Sequence, residues 1–261
     1  RDLVRSRGLG DVYKRQKLGL ERSCMAMDIN LGCSGWVYGL SVLSSLMQTG
    51  NIKKAILLAG DARKQAKEEL DQLFGYACTA TALEYSKEAK PFYFDLGTDG
   101  TGYDAIIRPG GGCRNQFNED SLKLELCEDG RKRHAIQTRM KGMDVFAFGI
   151  TTAPKSIKKL TANYEMDYTS FDYVILHQAN YKMTETIRKK LKLDAEKMPY
   201  SMLHFGNTSS ASIPLTIVTQ LKGKIEDKPT KIIGCAFGVG LSWGTVAFET
   251  EHLLISELVE V

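Results

Sequence analysis

Met27-Asp28-Ile29-Asn30-Leu31-Gly32-Cys33-Ser34-Gly35-Trp36-Val37-Tyr38-Gly39-Leu40 is the stretch on which the reading of this chain turns. An apolar run containing Ala26, Met27 and Ile29 enters a Gly-Cys-Ser-Gly turn. Val37, Leu40, Leu43, Leu46 and Met47 then recur at helical spacing, which predicts a buried helix over 33–48. Cys33 is thereby expected in the first turn of that helix. Unpaired backbone N–H groups and the helix dipole there favour the thiolate, the nucleophilic form of cysteine. The competing reading is a small core cysteine. Gly32, Ser34 and Gly35 favour the reactive one, because they leave room for a substrate to reach the sulfur.

Three later segments carry the same kind of signal. Tyr173-Val174-Ile175-Leu176-His177-Gln178-Ala179-Asn180 reads as an apolar strand ending in a histidine. His204-Phe205-Gly206-Asn207-Thr208-Ser209-Ser210-Ala211-Ser212-Ile213-Pro214 reads as a glycine-asparagine turn leading into a helix. Gly238-Val239-Gly240-Leu241-Ser242-Trp243-Gly244 is a glycine-rich closing motif. Taken singly, each has a plain alternative. His177 could be a hydrogen-bonded strand-end histidine, Asn207 an N-cap for the helix bearing Ile213, Ile217 and Leu221, and Gly238 and Gly240 turn glycines. Asn180 is expected to cap the helix that follows it. Cys33, His177 and Asn207 nonetheless each fall at an element boundary, where a catalytic side chain is exposed on a rigid support.

The whole chain bounds what these residues can serve. Its 261 residues allow one large domain or two small ones, and 43% hydrophobic with 25% charged residues is ordinary for a globular protein. No apolar run is long enough to span a bilayer, and no secretory signal is recognisable. Cys24, Cys33, Cys78, Cys113, Cys127 and Cys235 lack C-x-x-C pairing, which favours reduced thiols and a cytoplasmic location. The four histidines show no metal-ligand spacing, so no metal site is expected. Net charge is +4, but residues 1–16 hold five cations against two anions. The remainder is near neutral, which gives no argument for nucleic acid. That opening tract lacks periodicity and is set aside as a possible scar.

Strand and helix patterns alternate along the rest. Strands are predicted at 55–59, 79–85, 92–96, 173–176, 231–236 and 243–249. Helices are predicted at 145–160, 181–191 and 210–221. Such alternation argues for an α/β architecture with a helix-covered sheet. Helix, buried strand and alternating strand recur in the same order after Cys33 and after Asn207, a pattern of two equivalent halves. The glycine-rich stretch 96–112 lacks the Lys-Ser/Thr of a phosphate loop and suits a substrate entrance. The charged run Glu128–His134 reads as a solvated turn.

The four motifs together, in order and spacing, resemble beta-ketoacyl-acyl-carrier-protein synthase III of the thiolase-like superfamily, from about Leu18 to the C-terminus. The resemblance implies a thiolase-like fold of two similar α/β halves with layered sheets and buried helices. The N-terminal half is expected at 17–132 and the C-terminal half at 133–261. It also implies that the stretch before Cys33 is shorter than the family's, leaving that half incomplete.

The implied reaction joins an acyl-coenzyme A primer to malonyl-acyl carrier protein by decarboxylative Claisen condensation. Cys33 would carry the acyl group, and backbone N–H groups of Cys33 and Val239 would hold the oxyanion. His177 and Asn207 would donate to the malonyl thioester. The resemblance implies no cofactor beyond the coenzyme A thioester itself, and a homodimer when complete. Lys182, Lys189 and Lys190 are expected to meet the acidic carrier protein. Asn207 and Trp243 favour the synthase III branch over relatives with a second histidine or cysteine. Tyr76 and Cys78 depart from the family's Gly-Asp-Ala-Gly turn and are expected to perturb that loop. Other readings are acyl transfer to another acceptor, in secondary metabolite or surface polysaccharide synthesis, and a non-catalytic partner.

Overall fold

A computed structural model of the chain describes residues 9–60 and 73–260. In order, its regular elements are α1 (Leu9–Lys17), α2 (Gly35–Gln48), β1 (Lys54–Gly60), β2 (Cys78–Glu84), β3 (Tyr93–Thr98), β4 (Ile106–Ile107), β5 (Glu125–Leu126), β6 (Lys132–Arg133), β7 (Arg139–Met140), α3 (Gly142–Asn163), β8 (Tyr173–Leu176), α4 (Tyr181–Leu191), α5 (Met202–Phe205), α6 (Ser212–Thr216), β9 (Thr230–Gly238) and β10 (Ser242–Thr250). No helix among the described residues is long and apolar enough to cross a membrane.

β9 is the centre of the molecule because nearly all of it is apolar and both of its faces are covered. Ile233, Cys235 and Phe237 point to one side and pack with Ile157 and Leu160 of α3 and Ile187 and Leu191 of α4. Ile232 and Ala236 point to the other and pack with Trp36, Val37 and Leu40 of α2 and Ile213 of α6. This is the period-2 alternation of a strand buried on both faces. β9 pairs parallel with β8 and antiparallel with β10, which in turn pairs antiparallel with β3, giving the order β3-β10-β9-β8. α2 is shared with a second sheet, since β1 and β2 pair antiparallel over seven residues on its far side. The Trp36 indole N–H reaches across to Thr81 Oγ1 of β2 at 3.0 Å. Helices, sheet, helices and sheet therefore lie in layers, the thiolase-like α/β arrangement.

A buried carboxylate holds β3, β10 and α3 together. Asp95 on β3 accepts from Ser156 at 2.7 Å and from the Trp243 indole at 3.4 Å, and pairs with Lys159 at 2.6 Å. Ser156 also lies 2.6 Å from Thr245 Oγ1. A buried charge persists only when satisfied in this way. Lys159, itself largely exposed, reaches this carboxylate from the α3 surface.

Several expectations need adjustment. The helix after the cysteine starts at Gly35, so Cys33 lies in the turn before it: Gly35 N–H donates to Gly32 O at 2.8 Å around Cys33 and Ser34. The helix expected over 210–221 is three short pieces, a 3-10 turn at Ser209–Ala211, then α6, then a π turn at Ile217–Leu221. The charged run near Glu128 is a turn as expected, joining β5 and β6 in a hairpin with Arg133 forked onto Asp129. β3, although it precedes residue 133, pairs with β10 of the later residues. α1 occupies part of the opening tract that showed no periodicity.

Gly97 on β3 is required by the Trp243 indole, because a Cβ there would come within 2.1 Å of the ring. Gly97→Ala should therefore cost about 1–3 kcal/mol, the usual penalty for overpacking. Urea unfolding should show a lowered midpoint with an unchanged slope; an unchanged midpoint would mean that the indole moves aside at no cost.

Candidate active site

Cys33 is held by what packs on it. A Cβ on Gly238 would stand 2.8 Å from the Cys33 sulfur, and a Cβ on Gly32 would stand 3.3 Å from the Val239 Cβ. The Cys33 turn and the end of β9 thus touch at a place only glycine fits. The first-turn N–H groups of α2 begin one to two residues beyond the sulfur, with no acidic side chain among them.

His177 extends β8 by one residue, its N–H donating to Cys235 O at 2.8 Å. It is buried, with its ring edge-on to Phe237 at 5.8 Å. Nδ1 lies 2.8 Å from Ser212 Oγ at the start of α6. The hydroxyl can donate to Nδ1 or accept from it, so this bond fits either neutral tautomer of the ring. Burial pushes the imidazole pKa down to about 4, against a weaker opposing hydrogen bond to the Ser209 main chain. His177 is accordingly neutral at physiological pH.

Asn207 meets the same residue. Its Oδ1 accepts from Ser209 N–H at 2.9 Å, which turns the two amide N–H donors to the opposite side of the group. His177 and Asn207 are therefore joined through Ser209, and Ser210 beside it packs on Gly35, where a Cβ would be 3.4 Å from the Ser210 Cβ. These contacts bring the turn of Cys33, His177 and Asn207 to one place. The Asn207 backbone is fixed by a distant segment: its N–H donates to Leu73 O at 2.8 Å, and Gly75 N–H donates to its carbonyl at 3.1 Å. A Cβ at Gly75 would collide with Phe205 O at 1.7 Å. The loop bearing Tyr76 thus keeps its attachment to Asn207, while Cys78 opens β2 in register with Gly60.

Sequence reasoning passed over Ser212 and Gln178. The Gln178 side chain is fully buried, accepts from Ser201 N–H and Met202 N–H, and donates to Leu176 O. It ties the histidine strand to α5 and so to the asparagine turn. A polar residue inside an apolar run, next to the histidine, was the available signal. Asn180 caps α4 as expected, accepting from Met183 N–H at 2.9 Å.

The three lysines of α4 fare differently. Lys182 stands in the first turn, its ammonium 5.9 Å from the Phe146 ring. Lys189 and Lys190 stand in the last turn, about 10–12 Å further along the axis. Lys190 donates to Ile150 O at 2.9 Å. Pro154 inside α3 lacks the N–H that would bond that carbonyl, and Lys190 replaces it. Its position has a structural reason that the sequence reading did not include. Among the described residues no group of three or more His, Cys, Asp or Glu could hold a metal ion.

Two family models match the chain: 3-oxoacyl-[acyl-carrier-protein] synthase III over residues 27–100, and the C-terminal part of the same synthase over 161–250. The beta-ketoacyl-[acyl-carrier-protein] synthase III of Synechocystis is 32% identical over 87% of this chain and 67% of its own length. That of Clostridium tetani is 30% identical over 85% of the chain and 67% of its length. The chain belongs to the synthase III family. The crystal structure of a 3-oxoacyl-(acyl-carrier protein) synthase from Burkholderia xenovorans, 33% identical, superposes with a TM-score of 0.85 over 96% of this chain and 71% of that one. Another 3-oxoacyl-(acyl-carrier-protein) synthase III crystal structure gives the same TM-score at 32% identity.

The histidine environment sets a pH dependence. The unfolded chain binds a proton at His177 near pH 6.5, whereas the folded one does so only near pH 4. The stability this contributes is complete above about pH 6.5 and is lost as pH falls toward 4, at no more than about 1.4 kcal/mol per pH unit. His177→Gln should show a shallower loss of unfolding free energy between pH 7 and 4.5. Parallel profiles for the two proteins would mean that the imidazole is charged in the fold.

Proposed function

We propose that this chain forms a 3-oxoacyl-acyl carrier protein from an acyl-coenzyme A primer and malonyl-acyl carrier protein, in fatty acid biosynthesis. The observation that carries this reading is the convergence of the Cys33 turn, neutral His177 and Asn207 at the ends of β8 and β9, in a member of the synthase III family. The Cys33 thiolate attacks the primer thioester and expels coenzyme A, leaving an acyl-enzyme and splitting one hard step into two. Backbone N–H groups of Cys33 and Val239 receive the oxyanion of that step.

Malonyl-acyl carrier protein then loses carbon dioxide, and the electron pair of the broken bond moves toward its thioester oxygen. His177 and Asn207 donate hydrogen bonds there. The enolate carbon attacks the acyl-Cys33 carbonyl, a carbon–carbon bond forms, and the Cys33 thiolate leaves. The reaction as read uses no bound metal or organic cofactor, only the thioester substrates.

The carrier protein docks beside Lys182, in the first turn of the helix that follows the histidine, with Lys189 further along α4. Lys190 is the weaker candidate because of its bond to Ile150 O. A homodimer and a cytoplasmic location belong to the same reading and rest on family membership. Acyl transfer to a different acceptor and a non-catalytic role have no observation in their favour.

Incubation with acetyl-coenzyme A should add one acetyl group at Cys33 by mass spectrometry, and Cys33→Ala should abolish the addition. His177→Ala and Asn207→Ala should each slow carbon dioxide release from malonyl-acyl carrier protein by about 10²–10³-fold, with acylation less affected. Equal losses in both half-reactions would assign these residues to thiol activation instead.

A further inference from the structure

We infer that Ser242, supported by Ser34, is a positioning residue for the oxyanion-binding backbone at Val239, a role that rests on the condensing reading above. Ser34 follows the nucleophile and Ser242 opens β10; both are buried. The Ser242 hydroxyl donates to Val239 O at 2.8 Å. Its oxygen lies 2.7 Å from Ser34 Oγ. Since the one Ser242 proton is committed to the carbonyl, the Ser34 hydroxyl is the donor in this second bond. A directed relay therefore runs from the residue beside Cys33, through the first residue of β10, to the loop that lies over the sulfur.

The loop has little else in that direction. On one side of Val239, Gly238 is seated on Cys33 and registers with Ser242. On the other, Leu241 exchanges both backbone hydrogen bonds with Asp99, at 2.9 and 3.0 Å. Between these anchors the Val239 carbonyl is oriented by Ser242; the Val239 N–H lies in the preceding peptide plane, hinged to that carbonyl at the Val239 Cα, so holding the carbonyl limits how far the two planes can turn together. An oxyanion donor is effective only when it is aimed before charge develops. A side chain that never touches the substrate thereby sets the geometry of the acylation step.

Acylation and alkylation of the same thiol separate this role from general damage. Attack on a thioester creates an oxyanion, whereas iodoacetamide reacts at a saturated carbon and creates none at the sulfur's partner. Ser242→Ala should slow acetylation of Cys33 by acetyl-coenzyme A about ten- to hundredfold, the scale of a donor misplaced by about an ångström. Its apparent KM and its rate of iodoacetamide alkylation should stay near those of the unaltered chain, and Ser242→Thr should restore acetylation. Ser34→Ala should cost less, and the double variant should be no slower than Ser242→Ala, because the two act through one carbonyl.

Unchanged acetylation in Ser242→Ala, or an equal loss of alkylation, would overturn the inference. An unaltered chain that takes no acetyl group at all refutes the condensing reading instead. The carbonyl ¹³C shift of Val239 then decides the relay by itself: it should move upfield in Ser242→Ala as the hydroxyl donor is lost, and an unchanged shift would overturn it.

Discussion

The register of β9 between β8 and β10 is the constraint on which the site depends. Leu176 pairs with Cys235, so the next residue on β8, His177, emerges where Phe237 can face its ring. On the other side Ser242 pairs with Gly238, which puts the hydroxyl of Ser242 beneath the loop that β9 hands on. The end of β9 itself closes on Cys33. A slip of one residue would exchange the faces of Ile232 and Ile233, bury nothing correctly on either helix layer, and move all three placements at once. The apolar alternation of the strand thus secures the geometry of the candidate site as a by-product of filling two cores.

Much of this was legible in the sequence where the information is local. β8 and α4 fall at the predicted residues, and Asn180 caps α4, because a run of Val-Ile-Leu, a capping amide and a helical stripe each act within a few residues. Cys33, His177 and Asn207 were visible for the same reason: each interrupts a periodic pattern at a turn. What was not legible is set by contacts distant in sequence. The pinning of Asn207 by Leu73 and Gly75 spans more than a hundred residues, as does the Ser34–Ser242 bond. The break of 209–221 into three helical types is encoded by no local propensity. Placing β3 beside β10 likewise required knowing that Asp95 would find Ser156 and Trp243 rather than solvent.

Lys190 illustrates why surface charge is a poor guide to partners. In the sequence it is one of three consecutive cations on an amphipathic helix, indistinguishable from Lys189. In the fold it completes a hydrogen bond that Pro154 removed from a neighbouring helix. A proline in a helix interior leaves a carbonyl four residues earlier without its donor, and a flexible ammonium is well suited to supply one. The local breach in α3 and the cation on α4 are therefore one feature.

The neutrality of His177 also bears on the order of events in the proposed reaction. An imidazolium beside the malonyl group would attract its carboxylate and stabilise the ground state, opposing the loss of carbon dioxide. A neutral donor offers the carboxylate little and gains strength as charge moves onto the thioester oxygen, so its stabilisation is realised mainly in the transition state. Burial against Phe237 and Leu176 keeps the ring in that form, and Asn207 is a donor that cannot be charged at all. The cost is that the histidine has no excess positive charge with which to activate the thiol. In the proposed reaction that task falls to the start of α2, whose first turn carries no acidic side chain. Two neutral donors for one half-reaction, and main-chain amides for the other, divide the electrostatic work without placing a full charge in the buried site.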